Sequence, residues 1–305
     1  MTSQIPDQTG RVFVVTGAGS GLGLATARAL SLRGGRVILA VRDEAKGRRA
    51  ADAITAAGVP GELLEVRALD LADLGSVRDF AAQLRSDHPH LDVLINNAGV
   101  MAPPRTLSPQ GHELQFATNH LGHFALTGLL LGMLAEGDNP RVVTVSSTNH
   151  RQGRIFFDDL SGEASYAPMK FYNQSKLANA VFGLELHRRL TAAGSPVRSL
   201  LAHPGYAATG LQTSGPRGLV KLLFGRLLIP LAQSAEQGAL PQLYAATDPS
   251  AEGGEFIGPG GMGELRGAPK RVSPSDAAAD PATGRRLWGL SEELTGVRYG
   301  LPAAV

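Results

Sequence analysis

Short apolar runs alternate with longer amphipathic stretches along the 305-residue chain. The runs are rich in Val, Ile and Leu, as expected for β-strands that are buried on both faces. The predicted strands are 11–15, 36–40, 62–66, 91–95, 141–145, 197–202 and 255–257. The predicted helices are 22–33, 44–57, 74–86, 111–135, 171–193 and 234–247, with a short one near 281–290. This alternation predicts an α/β protein with a doubly wound parallel sheet of about seven strands and helices on both faces.

The alternation is not interrupted by a linker rich in proline, serine and glycine, and no repeat longer than a βα unit is visible. We therefore expect a single domain over residues 1–305. We assign nucleotide binding to its first half, about residues 10–150, and catalysis and substrate binding to its second half, about residues 151–305.

Composition narrows the classes of function. The chain has no cysteine, which excludes disulfide bonds, thiol catalysis and cysteine-ligated zinc. Its 29 basic and 27 acidic residues give a net charge of +2 and are spread along the chain, so no nucleic-acid partner is expected. No secretory signal is recognisable at the N-terminus, and no run of about 18 apolar residues occurs. We therefore predict a cytoplasmic protein without a transmembrane segment.

A glycine-rich turn follows the first predicted strand and precedes a predicted helix. It reads Thr16-Gly17-Ala18-Gly19-Ser20-Gly21-Leu22-Gly23. Glycines let the backbone approach a pyrophosphate closely, and the helix N-terminus offers free N–H groups to the anion. The spacing is G-x-x-x-G-x-G rather than G-x-G-x-x-G, and the alternative is a glycine-rich turn without a ligand. Its place at the first strand–helix junction favours a Rossmann fold that binds a dinucleotide.

The end of the second predicted strand bears on the choice of dinucleotide. In NAD-binding proteins an acidic side chain there contacts the ribose 2′-hydroxyl, whereas an arginine suits the 2′-phosphate of NADP. The strand is followed by Arg42 and Asp43. We predict NADP(H) with Arg42 as its phosphate ligand, and Asp43 as the N-cap of the next helix. The alternatives are Asp43 as the ribose acceptor and Arg42 as a solvated charge.

Tyr172 and Lys176 lie four residues apart in a predicted helix, so they share one face of it. A free phenol titrates near pH 10, and a nearby ammonium lowers that pKa. Tyr172 is therefore predicted to transfer a proton to or from a substrate oxygen while a hydride moves at carbon. Tyr166 and Lys170 have the same spacing, but Pro168 lies between them and disfavours helix there. We therefore prefer Tyr172 with Lys176.

Ser147 follows the buried strand 141–145, at the edge of the sheet where ligands bind in open α/β folds. A hydroxyl there can donate a hydrogen bond to a substrate oxygen. Ser146 is the alternative, because adjacent side chains on a strand point in opposite directions. His120 and His123 lie three residues apart, but no further ligands accompany them, so no metal site is predicted.

Taken in chain order, these residues resemble the short-chain dehydrogenase/reductase family. The matching positions are Thr16, Gly17, Gly21, Gly23, Asn96 to Gly99, Asn119, Ser147, Tyr172, Lys176, Pro204, Gly205 and Thr209. Within the family, the sequences at 41–43, 146–150 and 175–179 resemble the branch of retinol dehydrogenases, WW-domain oxidoreductases and protochlorophyllide reductases. No WW domain or membrane anchor is recognisable in this chain, and retinol is not assigned as its substrate.

The resemblance implies a catalytic set of Ser147, Tyr172 and Lys176. It also implies that Asn119 is a fourth member, whose backbone carbonyl holds a water on a proton relay to Lys176. The same resemblance favours Ser147 over Ser146. Related enzymes pair through the helices that carry Asn119 and Tyr172, so a homodimer or homotetramer is compatible with the sequence.

The resemblance further implies where the cofactor lies. Asp70 would contact the adenine. Asn96 to Gly99 would support the sheet and pass close to the adenosine ribose. Pro204, Gly205 and Thr209 would flank the nicotinamide carboxamide. The expected cofactor contacts are Gly17, Gly19, Ser20, Gly21, Leu22, Gly23, Arg42, Asp70, Leu71, Asn97, Ala98, Gly99, Tyr172, Lys176, Pro204, Gly205 and Thr209.

Residues 218–232 combine many apolar side chains with Lys221 and Arg226. The family has a substrate lid here, at about residues 210–233, and so apolar a lid favours a hydrophobic substrate. A helix packed on the sheet edge and a peripheral membrane contact are the alternatives.

The predicted partner is a small carbonyl or alcohol substrate, and the predicted function is NADP(H)-dependent oxidoreduction. The alternative is a protein that senses NADP(H) on the same fold without catalysis.

Overall fold

The computed structural model describes residues 5–206 and 233–303, and these residues form one eight-stranded sheet. The strands are β1 (Val12–Thr16), β2 (Arg36–Val41), β3 (Leu64–Ala68), β4 (Val93–Asn96), β5 (Arg141–Val145), β6 (Arg198–Ala202), β7 (Phe256–Pro259) and β8 (Pro269–Arg271). Their order in the sheet is β3-β2-β1-β4-β5-β6-β7-β8. Strands β1 to β7 are parallel, which confirms the predicted doubly wound sheet, and β8 is antiparallel to β7. The short polar strand β8 was not predicted, because it has no apolar run.

Helices alternate with the strands along most of the chain. They are α1 (Gly21–Ser31), α2 (Glu44–Ala56), α3 (Leu74–Asp87), α4 (Leu114–Phe116), α5 (Gly122–Ala135), α6 (Pro168–Ala192), α7 (Ala235–Gly238), α8 (Leu240–Thr247), α9 (Asp276–Ala279) and α10 (Pro281–Thr295). Residues Ala117–Leu121 form a π-helical turn between α4 and α5, so the single helix predicted over 111–135 is wrong in detail. The helix predicted over 234–247 is divided at Ala239, because Pro241, in the first turn of the next helix, has no N–H to continue the previous one.

The two faces of the sheet carry separate hydrophobic layers. Along β1, Val14 packs into the layer beneath α3, α5 and α6, whereas Phe13 and Val15 pack into the layer beneath α1, α2 and α8. All three side chains are fully buried. Burial on both faces is the physical reason that the strands read as continuous apolar runs.

Helix α10 covers part of the outer surface of α5 and α6. Trp288 lies edge-on to Phe124 at 5.2 Å, and Tyr299 packs on the same ring at 4.9 Å. The Tyr299 hydroxyl donates a hydrogen bond to the Phe124 carbonyl at 2.6 Å. Pairing of two chains through this part of α5 and α6 would therefore require α10 to be displaced.

Two of the sequence predictions fall on residues that the structure does not describe. Thr209 and nearly all of the predicted lid lie in residues 207–232, outside the described residues. Within residues 5–206 and 233–303, none of the helices combines the length and the apolar character needed to cross a bilayer.

Candidate active site

The carboxyl ends of the parallel strands meet at one edge of the sheet, and the predicted site residues follow them. The glycine-rich turn follows β1, residues 97–99 follow β4, Ser147 follows β5 and Pro204 follows β6. Because β1, β4, β5 and β6 are neighbours in the sheet, residues far apart in sequence are brought to one crevice.

The glycine-rich turn has the geometry of a phosphate-binding loop. Gly17 has a φ of +69°, which side-chain-bearing residues rarely adopt. A Cβ on Gly23 would lie 2.5 Å from the Gly17 carbonyl oxygen, so only glycine lets α1 approach the turn. The Ser20 side chain makes no capping bond to α1, and the first turn of α1 contains no acidic residue. The N–H groups at this helix end can therefore bind an anion, and the turn fits a pyrophosphate.

Thr16 fixes the loop after β4 against the glycine-rich turn. Its hydroxyl oxygen accepts hydrogen bonds from the backbone N–H groups of Asn97 and Ala98, both at 2.9 Å. The Asn97 side chain donates in turn to the Thr16 carbonyl at 2.7 Å. Ala98 lies so near the turn that a Cβ on Gly17 would be 3.0 Å from its Cα. The predicted cofactor contacts at 97–99 thus flank the predicted phosphate loop.

Asp43 is the N-cap of α2, as the sequence favoured. Its Oδ1 accepts a hydrogen bond from the Lys46 backbone N–H at 3.0 Å, and this bond holds the pKa of Asp43 below its usual value. Arg42 is exposed beside it.

Lys46 was not predicted from the sequence. It lies in the first turn of α2, four residues beyond Arg42, and its Nζ donates to the Ser20 hydroxyl of the glycine-rich turn at 3.1 Å. A second cation so soon after the second predicted strand was a usable signal. Arg42, Lys46 and Ser20 together form a basic, hydrogen-bonding group at the end of β2.

Asp70 and Leu71 follow β3, at the predicted adenine side of the crevice. One carboxylate oxygen of Asp70 accepts the Ala72 N–H at 3.0 Å, which shapes the turn. The Asp70 N–H donates to the Ser76 hydroxyl at 2.9 Å. Leu71 is buried, and its carbonyl oxygen would lie 2.2 Å from a Cβ on Gly122, so Leu71 packs directly against α5.

Tyr172 and Lys176 lie one turn apart in α6, and both side chains are buried. The Lys176 Nζ lies 5.8 Å from the centre of the Tyr172 ring and donates to the Val145 carbonyl at 3.3 Å. Gly99 lies beside this amine, because a Cβ there would be 3.6 Å from Nζ. The predicted acid–base pair therefore faces the loop after β4.

Tyr166 has a different environment from Tyr172. It precedes Pro168, where α6 begins, so it does not stack with Lys170 on one helical turn. Its hydroxyl contacts the Pro103 carbonyl at 3.0 Å and Glu113 at 3.2 Å, and it accepts a hydrogen bond from the Gln115 side chain at 3.0 Å. Tyr166 thus anchors the loop that precedes α4.

Burial is the largest cause of the pKa shifts of Tyr172 and Lys176 in α6. It raises the pKa of Tyr172 to about 12, against a smaller opposing effect of a hydrogen bond with Ser147. It also lowers the pKa of Lys176 to about 8. The prediction that Lys176 lowers the pKa of Tyr172 is wrong for this structure, because burial of the phenolate is the largest cause of the shift and Lys176 is not among its causes. At neutral pH the phenol carries its proton.

Lys176→Met is expected to raise the free energy of unfolding at pH 7 by an amount on the order of 3 kcal/mol, because the shift from 10.5 to about 8 measures the cost of burying the charge. Asn179 also donates to the Val145 carbonyl, at 3.1 Å, so that oxygen keeps a partner in the variant. Urea unfolding of the two proteins at several pH values measures the difference.

The difference in stability between the wild type and Lys176→Met is expected to depend on pH. Between pH 8 and 10.5 the unfolded wild-type chain binds the Lys176 proton and the folded chain does not, so wild-type stability rises with pH there. The advantage of Lys176→Met should therefore shrink across that window. A constant difference, or a destabilised variant at pH 7, would show that the amine is not buried as a charge.

The side chains of Ser146 and Ser147 have different surroundings, as predicted for adjacent residues at the end of a strand. The Ser146 hydroxyl is buried and donates to the Lys176 carbonyl at 2.7 Å, so it anchors α6 to β5. Ser147 is half-buried, and its hydroxyl is the group that lowers the pKa of Tyr172 against the larger effect of burial. Its oxygen also accepts the Asn149 N–H at 3.2 Å. The geometry places Ser147, rather than Ser146, with the phenol.

Asn119 lies in the π-helical turn before α5, and its side chain is completely buried. Its amide oxygen accepts the Val100 N–H at 2.8 Å, and its amide nitrogen donates to the Val100 carbonyl at 3.0 Å and to Ser175 at 2.9 Å. A Cβ on Gly99 would lie 3.2 Å from the Asn119 amide oxygen. Asn119 thus holds the loop that borders Lys176.

Pro204 and Gly205 follow β6 and are held by His203. The Gly205 N–H donates to His203 Nδ1 at 3.2 Å, so Nε2 carries the ring hydrogen and donates to Glu264 at 2.9 Å. Both carboxylate oxygens of Glu264 also accept a hydrogen bond from Arg151 at 2.9 Å. Arg151 lies four residues after Ser147 in the chain. Glu264 was missed in the sequence, because only the fold brings it to the ends of β5 and β6.

His120 does not belong to a metal site in the described chain. Its Nε2 lies 2.9 Å from the Ser291 hydroxyl, and burial lowers its pKa to about 3. Among residues 5–206 and 233–303, no three histidine, aspartate or glutamate side chains are grouped as metal ligands. His120 instead joins the π-helical turn to α10 through this contact with Ser291.

Comparisons with known proteins agree with this geometry. A family model described as short chain dehydrogenase matches residues 11–218. Retinol dehydrogenase 14 of Homo sapiens is 41% identical over 94% of this chain and 87% of its own length. Polyprenol dehydrogenase of Mus musculus is 40% identical over 97% of this chain and 87% of its own length. The crystal structure of an uncharacterized protein from Mycobacterium paratuberculosis is 45% identical, with a TM-score of 0.82 and 99% of each chain covered.

Proposed function

The chain belongs to the short chain dehydrogenase family, and from that premise we propose that it is an NADP(H)-dependent oxidoreductase that interconverts a hydrophobic carbonyl compound and its alcohol. The observation that carries the proposal is the meeting of a protonated phenol, a serine hydroxyl and a buried amine at the edge of the sheet that also holds the glycine-rich turn. Tyr172, Ser147 and Lys176 are the groups concerned.

The proposed chemistry assigns one task to each side chain. The bound nicotinamide cofactor supplies or accepts the hydride at the substrate carbon. In the reducing direction Tyr172 gives its proton to the substrate oxygen, and Ser147 donates a hydrogen bond to the same oxygen. In the oxidising direction the phenol must first lose its proton. Burial keeps Tyr172 protonated, which is the form that carbonyl reduction requires.

Lys176 and Asn119 support the phenol in this proposal. With a pKa of about 8, the amine of Lys176 can carry or lose a proton near neutral pH. The charged form stabilises the phenolate that Tyr172 becomes after it gives up its proton. Asn119 fixes the loop at Gly99 beside that amine and keeps the pocket in shape.

The preference for NADP(H) rests on the group at the end of β2. Arg42 and Lys46 are cations, and the Ser20 hydroxyl lies within hydrogen-bond distance of Lys46. A 2′-phosphate would be bound by these three groups. The two acidic residues here are engaged elsewhere, Asp43 as the cap of α2 and Glu44 in an ion pair with Arg48. The glycine-rich turn and α1 would bind the pyrophosphate.

A hydrophobic substrate is the second element of the proposal. The relatives are named for retinol and polyprenol, which are both isoprenoid alcohols. Residues 218–232 are strongly apolar in sequence, which suits a lid over such a molecule. We therefore infer that isoprenoid aldehydes and alcohols are good first substrates for assay.

A substrate panel tests the proposal. Oxidation of NADPH and of NADH is followed with aldehydes, ketones, quinones and steroids, with isoprenoid aldehydes included. The expected result is turnover of at least one apolar carbonyl compound with NADPH preferred. Binding of NADPH without turnover of any compound would favour a cofactor sensor, and a preference for NADH would contradict the role of Arg42.

A further inference from the structure

His123 connects the strand before the glycine-rich turn to the turn that carries Asn119. Its ring is 1% exposed and lies at the start of α5. The Nδ1 atom lies 2.9 Å from the Asn119 backbone oxygen, and the Nε2 atom lies 2.9 Å from the Thr16 hydroxyl. No other role for this side chain follows from the proposed chemistry.

The hydrogen bonds of His123 determine where its hydrogen lies. A carbonyl oxygen only accepts, so Nδ1 must carry the hydrogen that points at Asn119. Burial, with the nearby Lys176 adding to the effect, lowers the pKa of His123 to about 4, so the ring is neutral at physiological pH. Nε2 is therefore an acceptor, and the Thr16 hydroxyl donates to it.

Each of the two hydrogen-bond partners of His123 belongs to a different half of the site. The Thr16 oxygen accepts the N–H groups of Asn97 and Ala98, and Thr16 itself is the residue before Gly17 in the phosphate-binding turn. The Asn119 carbonyl belongs to a π-helical turn, a strained form of helix that is common at functional sites. A donated hydrogen bond from His123 holds that carbonyl in one direction.

We propose that His123 is a positioning residue that holds two parts of the site through separate hydrogen bonds: the Thr16 turn where the dinucleotide is bound, and the Asn119 turn beside Lys176. The proposal rests on the proposed function, since it concerns the same cofactor and the same acid–base pair. His123 acts through Thr16 on one side and Asn119 on the other.

Two substitutions separate the two hydrogen bonds. In His123→Asn the amide nitrogen replaces Nδ1, so the bond to Asn119 is kept and the bond to Thr16 is lost. In His123→Gln the amide oxygen replaces Nε2, so the bond to Thr16 is kept and the bond to Asn119 is lost. The readouts are the Kd for NADPH, measured by fluorescence without substrate, and kcat with the best carbonyl compound of the panel.

The expected result is a crossed pattern. His123→Asn should weaken NADPH binding by about fivefold with kcat near the wild-type value, since one hydrogen bond is worth about 1 kcal/mol. His123→Gln should bind NADPH nearly as the wild type does, with kcat lowered by about fivefold. His120 is the matched control, because it lies three residues earlier, is also 1% exposed and bonds to Ser291 instead. Asn and Gln at 120 should lower the melting temperature without splitting the two readouts.

Several results would overturn the proposal. Variants at 123 that change both readouts in equal proportion, or that lower only the melting temperature as at 120, would show a purely structural role. The proposed function fails separately, if the wild-type protein binds NADPH but turns over no carbonyl compound. In that case the Kd for NADPH must still differ between His123→Asn and His123→Gln, and equal values would contradict the role of the bond to Thr16.

Discussion

Tyr172→Phe is expected to lower kcat by a factor on the order of 1,000 and to leave the affinity for NADPH nearly unchanged. The hydroxyl is the group that gives its proton to the substrate oxygen, and its removal leaves the ring in place. Burial keeps this hydroxyl protonated in the wild-type protein, so its loss removes the proton donor itself. Single-turnover rates and NADPH titrations of the two proteins measure the effect.

Tyr166→Phe is the matched control for this experiment. Tyr166 loses a hydroxyl of the same kind, and with it the contacts to Pro103, Glu113 and Gln115. We expect a modest loss of stability and turnover close to that of the wild type. The assignment of the proton donor would be wrong if Tyr172→Phe kept its turnover, or if Tyr166→Phe lost as much.

The double substitution Arg42→Ala and Lys46→Ala is expected to weaken NADPH binding by roughly 100-fold and to change NADH binding little. Charge-assisted hydrogen bonds to a phosphate are worth about 1.5 kcal/mol or more each, and exposure of both side chains places them at the lower end. NADH lacks the 2′-phosphate and therefore makes no use of either cation. Titration of each variant with both nucleotides gives the ratio of the two affinities.

Arg48→Ala controls for the general charge of α2. Arg48 is exposed on the same helix and forms an ion pair with Glu44 at 2.7 Å, so it is engaged within the helix. Its loss should leave the preference between the two nucleotides unchanged. A double variant that loses affinity for NADH as strongly as for NADPH would contradict a phosphate site at Arg42 and Lys46.

Much of the fold could be predicted from the sequence because the strands are buried on both faces. The run Arg141–Val145, for example, is predicted with the bounds that β5 has in the structure. Strand β8 and the π-helical turn at Ala117–Leu121 were not predicted. The first is too short and polar to show a period, and the second differs from an α-helix only in its hydrogen bonds, which the residue pattern does not encode.

The candidate site was predictable where it depends on local geometry. The spacing of Tyr172 and Lys176 places them on one helical face, and Pro168 separates Tyr166 from the helix. The pKa of Tyr172 was predicted in the wrong direction, because its burial depends on the whole fold.

Residues that act across elements were missed for a related reason. Lys46 reaches the turn after β1, and Glu264 reaches His203 at the end of β6. His123 was considered as a metal ligand and set aside, whereas the fold places it between Thr16 and Asn119. Contacts over such sequence separations depend on the order of the strands in the sheet. That order cannot be deduced from the residue pattern within a single strand or helix.

Transfer of deuterium from NADPH that carries deuterium at both positions of the nicotinamide C4 tests the central claim most directly. The label is followed by mass spectrometry in the alcohol formed from an apolar aldehyde, with Tyr172→Phe run in parallel. The account predicts one deuterium on the former carbonyl carbon with the wild-type protein and almost no product with the variant. A wild-type product without the label, or equal labelled product from both proteins, would contradict it.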